Sequence, residues 1–367
     1  MKKVRYAVVG LGNISQGALI PGFKNARNSE LTALVSGEAS KRQKLGKRLG
    51  VSHTYSYDEY DECLKSGQVD AVYIGLPNHL HCEYTARAAA AGVHVLCEKP
   101  MAVNEAECDR MIAACEKGNV KLMIAYRLHF EEGNLDAIRT ASSGKLGELR
   151  IFHSTFSQQV REQNVRTRHS EAEGGGSLFD MGVYCINAAR YIFRDEPIEA
   201  IAANSSNPAD QRFEKNPEMT SAILRFPGDR VALVTSSFGA APFSEFCVVG
   251  TKGWLRLSPA YDYKQPAVSQ VVVAGKMKRK QYRETDQFGA QLIYFSDCIL
   301  ENREPEPNGV EGLADVRIVR AIIESAKTQK PVKLAPFKKA DRPTMSQLIR
   351  KPPVKQRKLV DAPPPTR

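Results

Sequence analysis

Short apolar runs alternate with amphipathic stretches through the first 125 residues of the chain. The runs are typical of strands buried on both faces, and the stretches between them have the apolar period of helices. The predicted strands cover 6–9, 31–35, 69–76, 93–96 and 121–125, and the predicted helices cover 14–26, 39–49, 57–66, 79–91 and 104–117. This alternation predicts a doubly wound, parallel α/β sheet whose ligands bind where strands end and helices begin.

The pattern changes after residue 127, where strand-like runs follow one another with short turns between them. The predicted strands cover 148–156, 198–205, 220–226, 230–238, 246–250 and 254–257, and the predicted helices cover 177–193, 288–302 and 311–327. Turns such as Pro227-Gly228-Asp229 are typical of hairpins. The pattern therefore predicts a second, α+β domain built on an antiparallel sheet.

A basic, proline-rich segment without an apolar period ends the chain. The last 30 residues hold nine Lys or Arg against two Asp, so they carry most of the net charge of +11. Such a composition predicts an extended or disordered tail. We therefore expect a dinucleotide-binding domain at 1–125, a substrate and oligomerisation domain at 126–335, and a tail at 336–367.

Composition excludes several classes of protein. Hydrophobic residues make up 42% and charged residues 25% of the chain, which is typical of a globular protein. No apolar run approaches the roughly 18 residues needed to cross a bilayer, and the chain starts directly with a strand. The eight cysteines show no zinc-binding spacing, so we expect no metal site and reduced, structural thiols. These features favour a cytoplasmic location, or a periplasmic one only if a leader has been removed.

A glycine-rich turn, Gly10-Leu11-Gly12-Asn13-Ile14-Ser15, directly follows the first predicted strand. Glycines at the first and third positions allow a tight turn and a close approach to a pyrophosphate, and the helix start supplies free N–H groups. Ser15 replaces the usual third glycine and is small enough for close helix packing. A plain turn is the alternative, but the place between the first strand and the first helix favours a dinucleotide site.

The end of the second predicted strand indicates which dinucleotide binds. NAD-binding chains usually have Asp or Glu there, for the ribose 2′-hydroxyl. Here the strand is followed by Ser36, Gly37, Glu38, Lys41 and Arg42. A hydroxyl, a bare backbone and two cations suit the 2′-phosphate of NADP, with Glu38 as the one unfavourable neighbour. The alternative is that the two cations only face solvent on a helix.

Lys99 follows the predicted strand 93–96, at the edge of the sheet where the nicotinamide half of a cofactor extends. A cation there can hold a substrate oxygen and stabilise the negative charge that develops on it. Pro100 restricts the backbone of Lys99 and so fixes its direction. The alternative is a surface ion pair of Glu98 and Lys99, which would contribute little energy.

Three glycines at 174–176 precede a predicted helix that carries Asp180 and Tyr184. We expect Ser177 to cap this helix, and the four-residue spacing places Asp180 and Tyr184 on one face. A nearby ammonium would favour the phenolate of Tyr184, so Lys99, Asp180 and Tyr184 would form a proton-handling set. Equally, Tyr184 could be a core residue and Asp180 a carboxylate that interacts with the helix dipole.

Five motifs together resemble the glucose–fructose oxidoreductase/inositol dehydrogenase superfamily, and most closely its glucose–fructose oxidoreductase branch. They are G-L-G-N-I-S at 10–15, L-P-N-H-L-H at 76–81, C-E-K-P at 97–100, A-Y-R at 125–127 and G-G-G-S-L-F-D-M-G-V-Y at 174–184. The resemblance covers residues 4–335, and the E-K-P and D-x-x-x-Y elements are its most specific marks. It implies an N-terminal Rossmann domain and a C-terminal domain whose large, mainly antiparallel sheet forms a homodimer or a tetramer.

The resemblance also implies roles for individual residues. The implied cofactor-binding residues are Gly10, Leu11, Gly12, Asn13 and Ile14 at the pyrophosphate, Ser36, Lys41 and Tyr57 at the 2′-phosphate, Leu76, Pro77, Asn78 and His81 along the cofactor, and Glu98, Lys99 and Arg127 near the nicotinamide. Tyr184 resembles the catalytic acid/base, assisted by Lys99 and oriented by Asp180. Many relatives carry His at the position of Tyr184. A tyrosine there resembles the sugar-oxidoreductase branch of the superfamily. The arginine-rich stretch 165–169 receives no role.

We therefore expect an NADP-dependent oxidoreductase that oxidises an aldose at C1 to the lactone, with Tyr184 taking the proton of the anomeric hydroxyl. Retained NADPH could then reduce a second sugar to an alditol. This hypothesis requires that the Nζ of Lys99 and the hydroxyl of Tyr184 share one bound sugar. One alternative is an ordinary NADP-linked dehydrogenase of a sugar, inositol or diol with an exchangeable cofactor. A more remote alternative is a non-catalytic, NADP-responsive protein whose tail binds nucleic acid. The lack of aromatic residues in 338–367 disfavours this alternative, because no base could stack on the tail.

Overall fold

The computed structural model describes residues 2–162, 164–355, 358–363 and 365–366. By their contacts the residues group into two compact units. The first unit comprises 1–127, 285–313 and 349–364, and the second comprises 128–284, 314–348 and 365–367. Both units take in late stretches of the chain, so they differ from the linear division at 125 and 335, which stays a prediction.

A six-stranded parallel sheet forms the centre of the first unit. Its strands are β1 Val4–Val9, β2 Ser29–Val35, β3 His53–Tyr55, β4 Ala71–Ile74, β5 His94–Cys97 and β6 Leu122–Ile124, in the order β3-β2-β1-β4-β5-β6. Strand β4 is buried along its whole length, as expected where helices cover both faces. The predicted doubly wound fold is confirmed. Its strand order changes direction between β1 and β4, which is the place where ligands bind in such sheets.

A second, nine-stranded sheet belongs to the second unit. Its strands are β7 Leu149–Ser157, β8 Glu199–Ser205, β9 Met219–Phe226, β10 Arg230–Ser237, β11 Phe243–Gly250, β12 Gly253–Ser258, β13 Val268–Val273, β14 Lys276–Gln281 and β15 Val332–Lys333. They lie in the order β14-β13-β12-β11-β7-β10-β9-β8-β15. Strands β7 and β10 pair in parallel, and the other neighbours pair antiparallel. The expected large, mainly antiparallel sheet is thus confirmed.

A helix lies at or near each position where the apolar period predicted one, and two further helices, α6 and α7, were not predicted. They are α1 Ile20–Gly22, α2 Ala39–Leu49, α3 Tyr60–Lys65, α4 His81–Ala90, α5 Glu105–Lys117, α6 Glu132–Ser142, α7 Val165–Arg168, α8 Val183–Phe193, α9 Gln287–Leu300 and α10 Gly309–Thr328. Two π-helical turns, Ser15–Leu19 and Leu178–Gly182, directly precede α1 and α8. Such turns are rare and are frequent at functional sites. Both lie next to residues that the sequence singled out.

Local sequence explains where several elements begin and end. Asn104 caps α5, because its side chain accepts a hydrogen bond of 2.9 Å from the backbone N–H of Glu107. Helix α2 ends at Gly50, whose φ of +72° places it in the left-handed region. The predicted turn between β9 and β10 forms with positive φ at Gly228 and Asp229, as a tight hairpin requires.

The core of the second unit lies on the inner face of the nine-stranded sheet. The ring of Phe152 on β7 stacks against Phe246 on β11, with ring centroids 5.6 Å apart, and Phe193 of α8 meets Phe152 at 6.2 Å. A buried ion-pair network adds to this core. Arg190 of α8 donates to Glu196 and to Asp315, at 2.7 and 2.6 Å.

The C-terminal tail has specific contacts within each unit. Its described residues are irregular apart from a 3₁₀ turn at Met345–Gln347 and a bridge between Thr366 and Val160. In the second unit, Arg342 donates a hydrogen bond of 2.6 Å to the buried Glu196. In the first unit, the carbonyl of Pro352 accepts a hydrogen bond of 2.8 Å from Asn25. The described residues of the tail are therefore held by specific contacts, and the extended or disordered state expected from the composition stays a prediction.

The eight cysteines are free thiols and all are buried, as expected for structural residues. Burial raises the pKa of the Cys63 thiol to about 12, which disfavours its reactive thiolate. Among the described residues, no helix combines the length and the hydropathy that a membrane crossing requires.

Candidate active site

The glycine-rich turn after β1 is shaped by close backbone packing. Gly10 has a φ of +89°, and a Cβ added there would lie 2.4 Å from the carbonyl oxygen of Gly75. The hydroxyl of Ser15 donates a hydrogen bond of 2.6 Å to the carbonyl of Gly10, so the residue that replaces the third glycine closes the turn. By contrast, a Cβ added at Gly12 would meet no atom within 4 Å. This open, glycine-lined surface fits the close approach of a pyrophosphate.

Gln16 is a second residue that holds this turn, and no pattern in the sequence had indicated this role. Its side-chain amide donates a hydrogen bond of 2.7 Å to the carbonyl of Leu11, inside the turn. Gln16 is 2% exposed, so this contact is shielded from water. The turn is therefore fixed at Gly10 by Ser15 and at Leu11 by Gln16.

The residues predicted to hold a 2′-phosphate form one cluster, in which Ser36, Gly37, Lys41 and Arg42 follow β2 and Tyr57 follows β3. The guanidinium of Arg42 donates to the carbonyl of Ser36, and a Cβ added at Gly37 would lie 3.3 Å from the ring of Tyr57. Burial raises the pKa of Tyr57, which keeps it a neutral hydrogen-bond donor. The cluster fits a phosphate chemically, because it combines hydroxyl and cationic donors.

Glu38 is the unfavourable neighbour in this cluster, as expected. Its carboxylate lies 2.7 Å from the Nζ of Lys41. Lys41 is buried whereas the Glu38 side chain is mostly exposed, so the carboxylate is the more solvated partner of the pair. A phosphate in the cluster would compete with Glu38 for this ammonium.

The loops after β4 and β5 carry the next group of predicted residues. Leu76, Pro77 and Asn78 lead into a 3₁₀ turn at Asn78–Leu80, just after β4. Glu98 and Lys99 follow β5, and the hydroxyl of Tyr73 donates a hydrogen bond of 2.7 Å to Glu98. Lys99 is 8% exposed, and its peptide bond to Pro100 is cis. A lysine buried to this degree does not fit the alternative interpretation, in which Glu98 and Lys99 form a surface ion pair.

His81 connects these two loops. Its ring nitrogens lie 2.9 Å from the carbonyl oxygen of Pro100 and 3.0 Å from that of Leu76. The side chain is fully buried, and burial lowers its pKa to about 4. His81 was expected along the cofactor, and the contacts indicate that it positions the loops that carry Leu76 and Lys99.

Arg127 lies at the end of the first unit, after β6, and is also buried. Its guanidinium donates to the side-chain oxygen of Gln287 and lies 5.9 Å from the ring centroid of Phe288. Both partners come from the start of α9, about 160 residues later in the chain. The expected place of Arg127 near the nicotinamide stays a prediction.

In the second unit, the glycine turn 174–176 leads into the π-helical turn before α8. Gly174 and Gly176 have positive φ, a conformation that glycine adopts readily. Ser177 stands at the N-cap position, as expected, but its side chain makes no capping hydrogen bond. Ser177 already has helical backbone angles, and its hydroxyl lies 3.1 Å from that of Ser236 on β10. The hydroxyl is therefore directed at the sheet and not at the helix backbone.

Tyr184 lies in the first turn of α8 and is partly exposed. Its ring packs against both Phe156 and Tyr261, with ring centroids 5.7 Å from each, and these two rings also contact each other at 5.3 Å. Burial raises the pKa of Tyr261 well above its usual value, so the hydroxyl of Tyr261 stays protonated and neutral. The aromatic cluster fixes the direction of the Tyr184 ring and leaves part of the residue exposed.

Asp180 forms an ion pair that the sequence did not predict. The Nε of Arg166, from the short helix α7, lies 2.9 Å from an oxygen of Asp180. Arg166 belongs to the stretch 165–169, which was noticed for its arginines but received no role. The sequence therefore showed the arginine-rich stretch, but its pairing with Asp180 depends on how the chain folds between the two residues.

A doubly wound sheet with a glycine-rich turn after β1 and cationic residues after β2 defines a Rossmann-type dinucleotide-binding protein. The comparisons with known proteins narrow this class. Residues 4–126 match the model of the oxidoreductase family with an NAD-binding Rossmann fold, and residues 135–256 match the GFO/IDH/MocA C-terminal domain. The chain belongs to the GFO/IDH/MocA family of oxidoreductases, which confirms the family predicted from its motifs.

Individual relatives match along most of the chain. The solved structure of the aldose–aldose oxidoreductase from Caulobacter crescentus, complexed with glycerol, is 37% identical with a TM-score of 0.86, and the match covers 91% of this chain and 100% of that one. The D-xylose 1-dehydrogenase [NADP(+)] of Haloarcula marismortui is 29% identical over 337 residues, which are 90% of this chain and 93% of that relative. An uncharacterized oxidoreductase of Rhizobium meliloti is 30% identical over 334 residues, 89% of this chain and 98% of its own length.

Proposed function

We propose that the protein is an NADP-dependent sugar oxidoreductase that oxidises an aldose at C1 to the lactone. The observation that carries this proposal is the 37% identity along the whole of a protein named as an aldose–aldose oxidoreductase. Two further relatives are named as D-xylose 1-dehydrogenases that use NADP(+). Relatives of both kinds are named for oxidoreductase chemistry on aldoses.

The cluster after β2 supports NADP as the cofactor. The cluster supplies hydroxyl and cationic groups from Ser36, Lys41, Arg42 and Tyr57. The residue that directly follows the strand is Ser36, where NAD-binding chains usually have Asp or Glu. An arginine can donate two hydrogen bonds to one phosphate, which favours NADP over NAD. The open surface at Gly12 is where the pyrophosphate would lie.

The proposed chemistry assigns proton transfer to Tyr184. Bound NADP⁺ supplies the hydride acceptor for C1. Tyr184 takes the proton of the anomeric hydroxyl, and its ring is held for this role by Phe156 and Tyr261. Lys99 stabilises the negative charge that develops on the same oxygen, and Asp180, paired with Arg166, sets the local charge beside Tyr184.

Coupling to a second sugar is a further part of the proposal. An enzyme that retains NADPH can reduce a second sugar to an alditol before it binds a new aldose, whereas an ordinary dehydrogenase exchanges its cofactor each turn. The name of the Caulobacter relative favours the first mode, and the names of the xylose dehydrogenases favour the second. Both modes share the oxidation of an aldose at C1.

A substrate panel tests the proposal and separates the two modes. Aldoses, ketoses and inositols are mixed with the protein, with and without added NADP⁺, and absorbance at 340 nm is followed. We expect aldoses to give NADPH with added NADP⁺, and NAD⁺ to support far less. Turnover of two sugars to a lactone and an alditol without added cofactor would establish coupling, and an absence of turnover with every aldose would refute the function.

We also propose that a second copy of this chain binds the outer face of the nine-stranded sheet. Ile201, Ile223 and Leu233 lie side by side on β8, β9 and β10 and are 37%, 40% and 42% exposed. Such a continuous apolar row on a sheet is typical of an interface. Leu233→Lys should shift the protein to a smaller species in light scattering, and an unchanged mass would contradict this interface.

A further inference from the structure

The amide of Gln16 connects the phosphate-binding turn to the C-terminal segment of the chain. Its Nε2 donates to the carbonyl of Leu11 at 2.7 Å and to the carbonyl of Val360 at 2.9 Å. Its Oε1 accepts a hydrogen bond of 2.8 Å from the N–H of Val360. One side chain thus binds both main-chain groups of Val360 and, with the same nitrogen, a carbonyl of the turn.

Further contacts hold this segment on the first unit. We name residues 349–363 the C-terminal strap, of which 349–355 and 358–363 are described. The carbonyl of Lys358 accepts a hydrogen bond of 2.6 Å from Arg48 on α2, and the carbonyl of Lys351 accepts one of 3.0 Å from the N–H of Asp286. The side chain of Leu359 lies 3.7 Å from the position of a Cβ at Gly17. Leu359 thus packs beside the helix that follows the turn, at a distance that would still admit a methyl group at position 17.

In the described part of the strap, most of these contacts are made by backbone atoms, namely the carbonyls of Lys351 and Lys358 and both main-chain groups of Val360. The ion pair of Lys44 and Asp361 joins two side chains at 3.4 Å, and both are about half exposed or more. An ion pair of that kind contributes little. The hydrogen bonds to Gln16 are the contacts that reach the phosphate-binding turn.

We infer that the C-terminal strap holds Gln16, and through it the phosphate-binding turn, in the conformation that retains the dinucleotide. Gln16 is a positioning residue in this scheme. The inference rests on the proposed function only in that NADP is the ligand. Without the strap, two of the three hydrogen bonds of a buried amide are lost, and Leu11 is held less firmly.

A truncated chain tests the inference directly. One variant ends at Leu348 and lacks the strap; the matched control ends at Pro363 and keeps it. NADPH is bound, and its fluorescence is followed after mixing with excess NADP⁺. Because each net hydrogen bond is worth roughly fivefold in an equilibrium constant, we expect dissociation about five- to tenfold faster without the strap. Equal dissociation rates in the two variants would overturn the inference.

A charge effect of the basic strap predicts a different result. If its lysines only attract the phosphates of the cofactor, the difference between the variants disappears at high salt. We expect the difference to persist from 0.1 to 0.5 M salt, and its loss at 0.5 M would overturn the role of Gln16. Asp361→Asn in the full chain, which removes the exposed ion pair, should change the dissociation rate less than about twofold.

Two readouts separate this inference from the proposed function and from simple misfolding. Hydrogen exchange of amides 10–22 in the cofactor-free protein should be faster without the strap, and unchanged exchange would overturn the inference. In the full chain, Gln16→Ala should speed NADPH dissociation, and truncation should then add little, since both remove the same bonds. Fully additive effects would overturn the coupling through Gln16. If the unaltered chain binds no NADPH, the proposed function fails, while the exchange experiment still decides the role of the strap.

Discussion

Replacing Gly12 by alanine should weaken NADP binding and leave the fold intact. A Cβ at Gly12 meets no atom within 4 Å, and its φ lies outside the positive range, so alanine fits the protein without strain. A Gly→Ala change at such a position stabilises a protein by about 0.4–1 kcal/mol. The added methyl group occupies the surface that the pyrophosphate approaches, and crowding of this kind costs about 1–3 kcal/mol, or roughly 5- to 150-fold in affinity.

Gly10→Ala is the matched control, because it should weaken the fold itself. A left-handed backbone costs an ordinary residue about 1–2 kcal/mol, and the Cβ would overlap the carbonyl of Gly75 at 2.4 Å. We expect a total loss of about 3 kcal/mol or more. Urea unfolding followed by circular dichroism measures stability, and NADPH fluorescence titration measures affinity. Wild-type affinity in Gly12→Ala would refute the assignment of the turn to the pyrophosphate.

Three further predictions concern the cofactor, the proton and the pH response. Arg42→Ala should weaken NADP binding about tenfold or more in a fluorescence titration and leave NAD binding unchanged, because it removes a donor to the 2′-phosphate; an equal loss for both would contradict that site. Tyr184→Phe should lower kcat about 10²- to 10⁴-fold at unchanged NADPH affinity, and unchanged turnover would refute its role. The pKa of His81 is lowered to about 4, so the unfolded chain takes up a proton below pH 6.5 that the folded chain excludes. Stability should therefore fall by about 3 kcal/mol between pH 6.5 and 4, and His81→Gln should reduce this fall in urea unfolding at each pH; an identical pH profile would contradict it.

Most of the periodic parts of the chain could be predicted from the sequence, although β13 and α6 were missed despite their apolar positions. Strands β1, β4 and β5 are buried apolar runs, and the glycine turn is local, so both could be placed from neighbouring residues. Strand β3 was missed, since the three residues His53–Tyr55 show no apolar run. Strand β14 was missed as well, because Lys276–Gln281 is rich in cations and exposed throughout. Charged edge strands of this kind protect a sheet from unwanted pairing but hide its period.

Contacts between distant residues could not be predicted. Gln16 and Val360 are 344 positions apart, and nothing in a basic, proline-rich tail indicates which of its backbone groups is bound. The pairing of Arg166 with Asp180 depends on the short helix α7 and the glycine turn, whose geometry has no periodic signal. His81 could be found through the family motif, but its contacts with Leu76 and Pro100 required the fold. The sequence therefore located the candidate residues better than the interactions that position them.

Hydride transfer from C1 is the most direct test of the proposed activity. The protein is incubated with NADP⁺ and an aldose that carries deuterium at C1, and the reduced cofactor and the sugar product are analysed by mass spectrometry. Our account predicts one deuterium in the NADPH and a lactone as the product. Unlabelled NADPH, or oxidation at another carbon of the sugar, would contradict it.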